Sequence, residues 1–249
     1  MKEYGLIGES LSHSHSKSYF TEKFKTLGID AAYELFELKD IEQIEVLIND
    51  RPKLMGFNVT IPYKQQIIPY CHKLEKTAMM AGAVNTVKII RKNSSFCLHG
   101  FNTDIKGFSA ILKTDVFVEK IPTSALILGT GGASRAVQFA LRAQGIGFTL
   151  VSRNISKIGQ INYKMITEED IEASPLIINT TPLGMYPNIE DKPPIPYSAL
   201  GPEHFLIDLI YNPTETAFLR EGKIRGATVF NGMQMFKEQA EMAWEIWQK

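Results

Sequence analysis

Cysteine is nearly absent: the 249 residues hold only Cys71 and Cys97, far apart and with no CxxC. That excludes a disulfide framework and argues against a cysteine-based zinc site. Net charge is absent too, because 27 Lys and Arg balance 27 Asp and Glu. No bulk field therefore points to nucleic acid or an anionic membrane as a partner. No apolar run approaches the roughly 18 residues a membrane span needs. Met1–Ser10 lacks the basic start and apolar stretch of a signal peptide, so a cytoplasmic protein is expected. Internal repeats and low-complexity linkers are missing as well. What remains is ordinary: 44% hydrophobic and 22% charged residues, enough for one large globular domain or two small ones.

Short apolar runs alternate with helical patterns, which predicts an α/β protein. Tyr4–Gly8 reads as a first strand ending in a glycine turn, and Tyr19–Leu27 as a helix with Phe20, Phe24 and Leu27 on one face. Ala32–Leu38 is strand-like, Lys39–Asn49 helix-like, and Gly56–Thr60 a strand that Pro62 stops. The second half has a sharper rhythm. Ala125–Leu128, Phe148–Val151, Leu176–Ile178, Phe205–Leu209 and Thr228–Phe230 are continuous apolar runs, the pattern of a parallel sheet covered on both faces. A helix over Met235–Trp247 closes the chain. A domain boundary is expected between Asp104 and Thr123.

The run Gly129-Thr130-Gly131-Gly132-Ala133-Ser134 sits between a predicted strand and a predicted helix, the context a dinucleotide fingerprint requires. Gly129 permits the sharp turn and Gly131 lets backbone approach a pyrophosphate. The helix N-terminus offers free N–H groups to it. The bland alternative is a glycine-rich turn that binds nothing, and a serine stands at the third glycine. Charge selects the nucleotide. An NAD site wants an acid at the end of the second strand; here stand Ser152-Arg153-Asn154, with Lys157 beyond. No Asp or Glu occurs from Lys120 to Thr167, against six Lys and Arg, so NADP is preferred, with Arg153 on its 2′-phosphate. The competing reading is a solvated basic surface.

Polar groups also gather at strand ends in the first half. Ser12-His13-Ser14-His15-Ser16 follows the first strand; its hydroxyls suit an anion or simply cap the next helix. Two histidines with no carboxylate nearby do not suggest a metal. Lys64 follows a strand end and a proline turn, and a lysine placed there can pass a proton, although most lysines are solvated. Gly82-Ala83-Val84-Asn85-Thr86 is a tight turn of small residues ending in an amide. Asp104, in Asn102-Thr103-Asp104, could be only a helix cap. Physics alone does not pair Lys64 with Asp104 across 40 residues.

Eight motifs in order carry a resemblance. They are His13-Ser14-x-Ser16, Asn58-Val59-Thr60-Ile61-Pro62-x-Lys64, Gly82-Ala83-Val84-Asn85-Thr86 and Asn102-Thr103-Asp104-x-x-Gly107 in the first half. The second half adds Gly129-x-Gly131-Gly132-Ala133-Ser134-Arg135-Ala136, Asn179-Thr180-Thr181-Pro182-x-Gly184-Met185, Asp208-x-x-Tyr211-x-Pro213-x-x-Thr216, and Gly232-x-x-Met235 with Gln239-Ala240. Over nearly the whole chain the sequence resembles the shikimate dehydrogenases. The resemblance implies an N-terminal α/β substrate domain, 1–103, with a mostly parallel sheet, joined by the C-terminal helix 233–249. It implies a C-terminal Rossmann NADP-binding domain over 104–232. The implied reaction is reversible reduction of 3-dehydroshikimate to shikimate by NADPH, on the route to aromatic amino acids.

By the same resemblance Lys64 is the acid/base and Asp104 bonds both it and the substrate. Ser14, Ser16 and Tyr211 hold the substrate carboxylate, while Thr60, Asn85, Asp104 and Gln239 hold ring hydroxyls. Leu209, Gly232 and Met235 meet the nicotinamide, and no metal is needed. The family contains monomers and homodimers. Three departures stand out: Gly8-Glu9-Ser10 where the family has Gly-Asn-Pro, Lys17 where it has proline, and Asn154–Gly159, too short for the usual helix. The last implies a trimmed Rossmann half with an open adenine side. Two other readings compete. A quinate/shikimate enzyme using NAD would want an acid near position 152, and a non-catalytic nucleotide sensor would be free to lose Lys64 or Asp104.

Overall fold

Short apolar runs closed by glycine turns become the strands of two six-stranded sheets. A computed structural model describes residues 1–12, 14–93, 95–155 and 159–249; His13 and Lys157 lie outside them. The chain divides into two compact units, Met1–Thr103 with Gln239–Lys249, and Asp104–Glu238.

The first unit runs β1 (Lys2–Gly8), α1 (Ser16–Thr26), β2 (Ala31–Glu37), α2 (Ile44–Asp50), β3 (Leu54–Val59), β4 (Lys73–Leu74), α3 (Lys76–Ala81), β5 (Thr86–Lys92) and β6 (Ser95–Phe101). Its sheet order is β2-β1-β3-β5-β6-β4. β2, β1 and β3 are parallel, whereas β5 is antiparallel to both β3 and β6. This hairpin was not read from the sequence. Lys88, Arg91 and Lys92 interrupt its apolar pattern, and its turn holds Asn93 at φ +54°.

Successive residues of a strand face opposite sides of a sheet, and both sides are packed. Ile7, Phe57 and Val59 join Ile44 and Ile48 of α2. Tyr4 and Leu6 join Phe20 and Phe24 of α1, together with Ala240, Ala243 and Trp247. Trp247 is 6% exposed, stacks on Tyr4 at 4.9 Å and donates its Nε1–H to the Val87 carbonyl at 3.0 Å. Gly56 leaves room for it: a Cβ there would lie 2.4 Å from the indole nitrogen. Lys23 pairs with Glu241 at 2.6 Å.

The second unit runs α4 (Asp104–Ile111), α5 (Asp115–Glu119), β7 (Ser124–Leu128), α6 (Gly132–Ala143), β8 (Gly147–Ser152), β9 (Gln160–Asn162), α7 (Glu168–Glu172), β10 (Leu176–Asn179), β11 (Phe205–Asp208), α8 (Ala217–Ile224) and β12 (Thr228–Phe230). The last helix, α9 (Met233–Gln248), begins in this unit and ends in the first. All neighbouring strands are parallel, in the order β12-β11-β10-β7-β8-β9. Counted within the unit this is the doubly wound order 3-2-1-4-5-6 of dinucleotide-binding sheets. Ala125, Ile127, Leu176 and Ile178 pack under α4, α5 and α6. Leu126, Leu128, Ile177 and Leu206 pack under α7 and α8. Continuous apolar strands were expected here because helices cover both faces. No helix among the described residues is long and apolar enough to cross a membrane.

Removing the Trp247 ring leaves a cavity and removes a hydrogen bond to the Val87 carbonyl. Trp247→Ala should destabilise the first unit by about 3–5 kcal/mol. Urea unfolding followed by far-ultraviolet circular dichroism measures this, and a loss under about 1 kcal/mol would contradict the packing described.

Candidate active site

The carboxyl ends of β1 and β3 lie side by side, and Thr60 N donates to Ile7 O at 2.9 Å. Because β5 is antiparallel to β3, its beginning reaches the same edge, where Val59 N donates to Asn85 O at 2.8 Å. The end of β6 arrives there too, with Asn85 N bonded to Phe101 O at 3.1 Å. Residues from distant motifs thus share one sheet edge.

Their buried polar groups bond one another in sequence. Tyr33 Oη donates to Asn58 Oδ1 at 2.8 Å, and Asn58 Nδ2 donates to Thr86 Oγ1 at 3.1 Å. Thr86 Oγ1 donates to Asn85 Oδ1 at 3.2 Å, which also accepts from Thr103 N at 2.7 Å. Asn85 Nδ2 reaches Thr103 Oγ1 at 2.9 Å and Gln239 Oε1 at 3.4 Å. Asn58, Thr86, Asn85 and Thr103 are all at most 5% exposed. Buried amides and hydroxyls must be satisfied, so this network holds its members in one arrangement. Asn85 engages both ends of its amide with protein groups. Half-buried Gln239 stands at the end of the chain of bonds.

The other expected residues of the first unit follow β1 and β3 in the chain. Lys64 is half-buried, and its carbonyl accepts from Val84 N at 2.7 Å. Tyr63 anchors the same loop through a bond to Leu38 O at 2.6 Å. Ser14 is half-buried and its Oγ accepts from Ser16 N at 3.2 Å, which shapes the entry to α1. The N-cap position itself belongs to His15, whose side chain does not cap the helix. Ser16, the first residue of α1, is 7% exposed.

In the second unit the strand order reverses between β7 and β10, where such sheets bind ligands. Gly129 follows β7 at φ +108°, and a Cβ there would meet Thr180 Oγ1 at 2.7 Å. Thr130 is half-buried beside it. Gly131 is the N-cap of α6, with no side-chain cap and nothing within 4 Å of where its Cβ would point. Gly132 and Ala133 open the twelve-residue helix, so its first N–H groups suit a pyrophosphate. Ser134 takes the third glycine's place, fully buried and bonded by Gln138 Nε2 at 3.1 Å. At the end of β8, Ser152 Oγ donates to Asn154 O at 2.8 Å, while Arg153 and Asn154 are exposed. Burial pushes the neighbouring Tyr163 phenol up to about 12, and the Arg153 charge opposes that shift. A cationic side chain open to solvent, an uncapped helix start and an unobstructed glycine fit a phosphorylated dinucleotide.

The end of β11, two strands from β7, carries a cluster whose residues fall in the sequence motifs but not among the expected site residues. Asp208 is fully buried. Its carboxylate accepts from Thr216 Oγ1 at 2.6 Å, Ile210 N at 3.0 Å and Asn179 Nδ2 at 3.1 Å. Burial raises its pKa to about 6 against these bonds. The signal was a lone acid closing an apolar strand. Leu209 N bonds Asn179 O at 3.0 Å, and Gly232 approaches so closely that a Cβ would lie 2.1 Å from Leu209 O. Met235 is 7% exposed in the core, and Tyr211 is half-buried with its ring 4.8 Å from Phe236. Asp104 is 4% exposed at the start of α4.

Residues 6–87 match the family model described as shikimate dehydrogenase substrate binding domain. A shikimate dehydrogenase (NADP(+)) of Clostridium beijerinckii is 42% identical over 261 residues, covering 100% of this chain and 93% of the relative. A crystal structure of shikimate dehydrogenase 1 from Peptoclostridium difficile is similar with a TM-score of 0.84 at 38% identity, covering 100% of this chain and 92% of that one. The Thermus thermophilus shikimate 5-dehydrogenase, solved in complex with NADP(H) and shikimate, gives a TM-score of 0.83 at 30% identity, covering 99% and 93% of the two chains.

The Asp208 cluster carries a pH dependence. Its folded pKa of about 6 lies above the ordinary aspartate value of 3.8, so the folded form holds the proton more tightly. Its contribution to stability is full below about pH 4 and is lost as pH rises through about 6. Relative to Asp208→Asn, the parent should therefore gain up to about 3 kcal/mol on acidification from about pH 7 to about pH 4. Paired urea unfolding curves across that range check it; a pH-independent difference would contradict it.

Proposed function

This chain belongs to the shikimate dehydrogenase family, and we propose that it catalyses the reversible NADPH-dependent reduction of 3-dehydroshikimate to shikimate. The observation that carries the reading is the shared edge of the first sheet. Thr60, Asn85 and Gln239 belong to separate motifs, and that edge collects them around one hydrogen-bonded network. Full-length similarity to NADP-dependent relatives supports the same reaction.

NADPH, when bound, supplies the hydride. Thr130, Gly131, Gly132 and Ala133 would offer its pyrophosphate backbone N–H groups at the start of α6, while Gly129, whose own N–H bonds Val151 O, makes the turn that presents them. Arg153, with Ser152 and Asn154, binds the 2′-phosphate through charge-assisted hydrogen bonds. Leu209 and Gly232 present backbone and apolar surface to the nicotinamide, with Met235 packed behind them.

Ser14, Ser16 and Tyr211 hold the substrate carboxylate. Thr60 and Gln239 bind ring hydroxyls, and Asn85 keeps Gln239 and Thr103 in place for that task. Negative charge develops on the ketone oxygen during reduction. An ammonium within hydrogen-bond reach stabilises that charge and donates the proton, which is the part of Lys64. Asp104 accepts a substrate hydroxyl. In the reverse direction Lys64 takes the hydroxyl proton.

Lys64→Ala should lower kcat by about 10²–10⁴-fold with little change in the substrate KM. Steady-state rates of NADPH consumption with 3-dehydroshikimate measure both constants. Turnover equal to the parent's would remove the acid/base role.

A further inference from the structure

β8 and β9 are parallel neighbours, yet only residues 153–159 join them. Parallel strands usually need a crossover of about a dozen or more residues, most often a helix. Such a helix, starting directly after the strand, would order the turn at the end of β8 through its own first amides. Here the adjoining strand takes over that task. Asn162 lies opposite Ser152 in the register and donates its Nδ2–H to the Arg153 carbonyl at 2.6 Å. Its Oδ1 accepts from Lys164 N at 3.0 Å and caps the turn Tyr163–Met165. Ser152 closes the turn at the end of β8 from its own strand, donating to Asn154 O at 2.8 Å and accepting from Asn154 N at 3.3 Å. The peptide that carries Arg153 is thus held from two strands, while its side chain is exposed.

We infer that Asn162 is a positioning residue for nucleotide selection: by fixing the Arg153 peptide it aims the guanidinium at the 2′-phosphate that distinguishes NADP from NAD. The inference rests on the assignment of Arg153 to that phosphate. A long exposed side chain loses rotamer entropy when it binds, and an anchored backbone reduces the further ordering required. Both ends of the Asn162 amide are engaged by protein groups, so its effect passes through Arg153 and leaves NAD untouched.

The test is isothermal titration calorimetry of NADP⁺ and NAD⁺ against the parent chain, Asn162→Ser, Asn162→Thr and Arg153→Ala, with thermal melting of each apoprotein. Serine and threonine keep a capping oxygen but withdraw the amide Nδ2–H that reaches the Arg153 carbonyl, since their single hydroxyl sits one atom closer to the backbone. Losing one hydrogen bond that orders the turn should weaken NADP⁺ about three- to tenfold. NAD⁺ affinity and the melting temperature should stay at the parent's values. Unchanged NADP⁺ affinity, or equal losses for both nucleotides, would overturn the inference, provided Arg153→Ala weakens NADP⁺ selectively. If Arg153→Ala shows no such selectivity, the assignment of Arg153 itself fails and the role of Asn162 falls with it.

Discussion

A buried amide that lacks partners is costly, and each unit uses that constraint to fix the edge of its sheet. In the first unit the amide is Asn85, bonded to Thr86 and Thr103 and reaching Gln239. In the second it is Asn179, whose Oδ1 accepts from Thr181 N at 3.0 Å and Thr181 Oγ1 at 2.7 Å, and whose Nδ2 reaches Asp208. Both asparagines are at most 3% exposed. Neither can swing toward solvent without leaving other buried groups unpaired, so the loops tied to them keep their shape.

The two networks support different chemistry. The first holds neutral donors and acceptors, suited to the hydroxyls of a polar ring. The second includes a carboxylate in a buried position, which stabilises backbone turns after β10 and β11 rather than facing an anion. The groups proposed to bind phosphate lie at the start of α6 and the end of β8, away from Asp208 in the sheet order. This separation keeps the buried negative charge apart from the phosphates assigned to the glycine turn and Arg153.

Much of the second unit was legible. Leu126, Ile127 and Leu128 form a continuous apolar run because alternate residues meet α6 on one face and α8 on the other. The glycine turn fell between a strand and a helix as its pattern required. The first unit was harder. The β5–β6 hairpin carries charges on its solvent side, so its strands lack a clean apolar signal, and it is this hairpin that brings Asn85 to Thr60 and Thr103. Asn162 was invisible for another reason. Its meaning depends on a register with Ser152 that only the assembled sheet reveals. Ser14 shows the remaining ambiguity, since its hydroxyl shapes the entry to α1 while it is also assigned to the substrate.

The central claim is the identity of the reaction. The most direct measurement incubates the purified chain with NADPH and either 3-dehydroshikimate or 3-dehydroquinate, follows nicotinamide absorbance, and identifies the product by mass. The account predicts rapid consumption of NADPH with 3-dehydroshikimate and stoichiometric formation of shikimate. Failure to consume NADPH with that substrate, or faster turnover of 3-dehydroquinate, would contradict it.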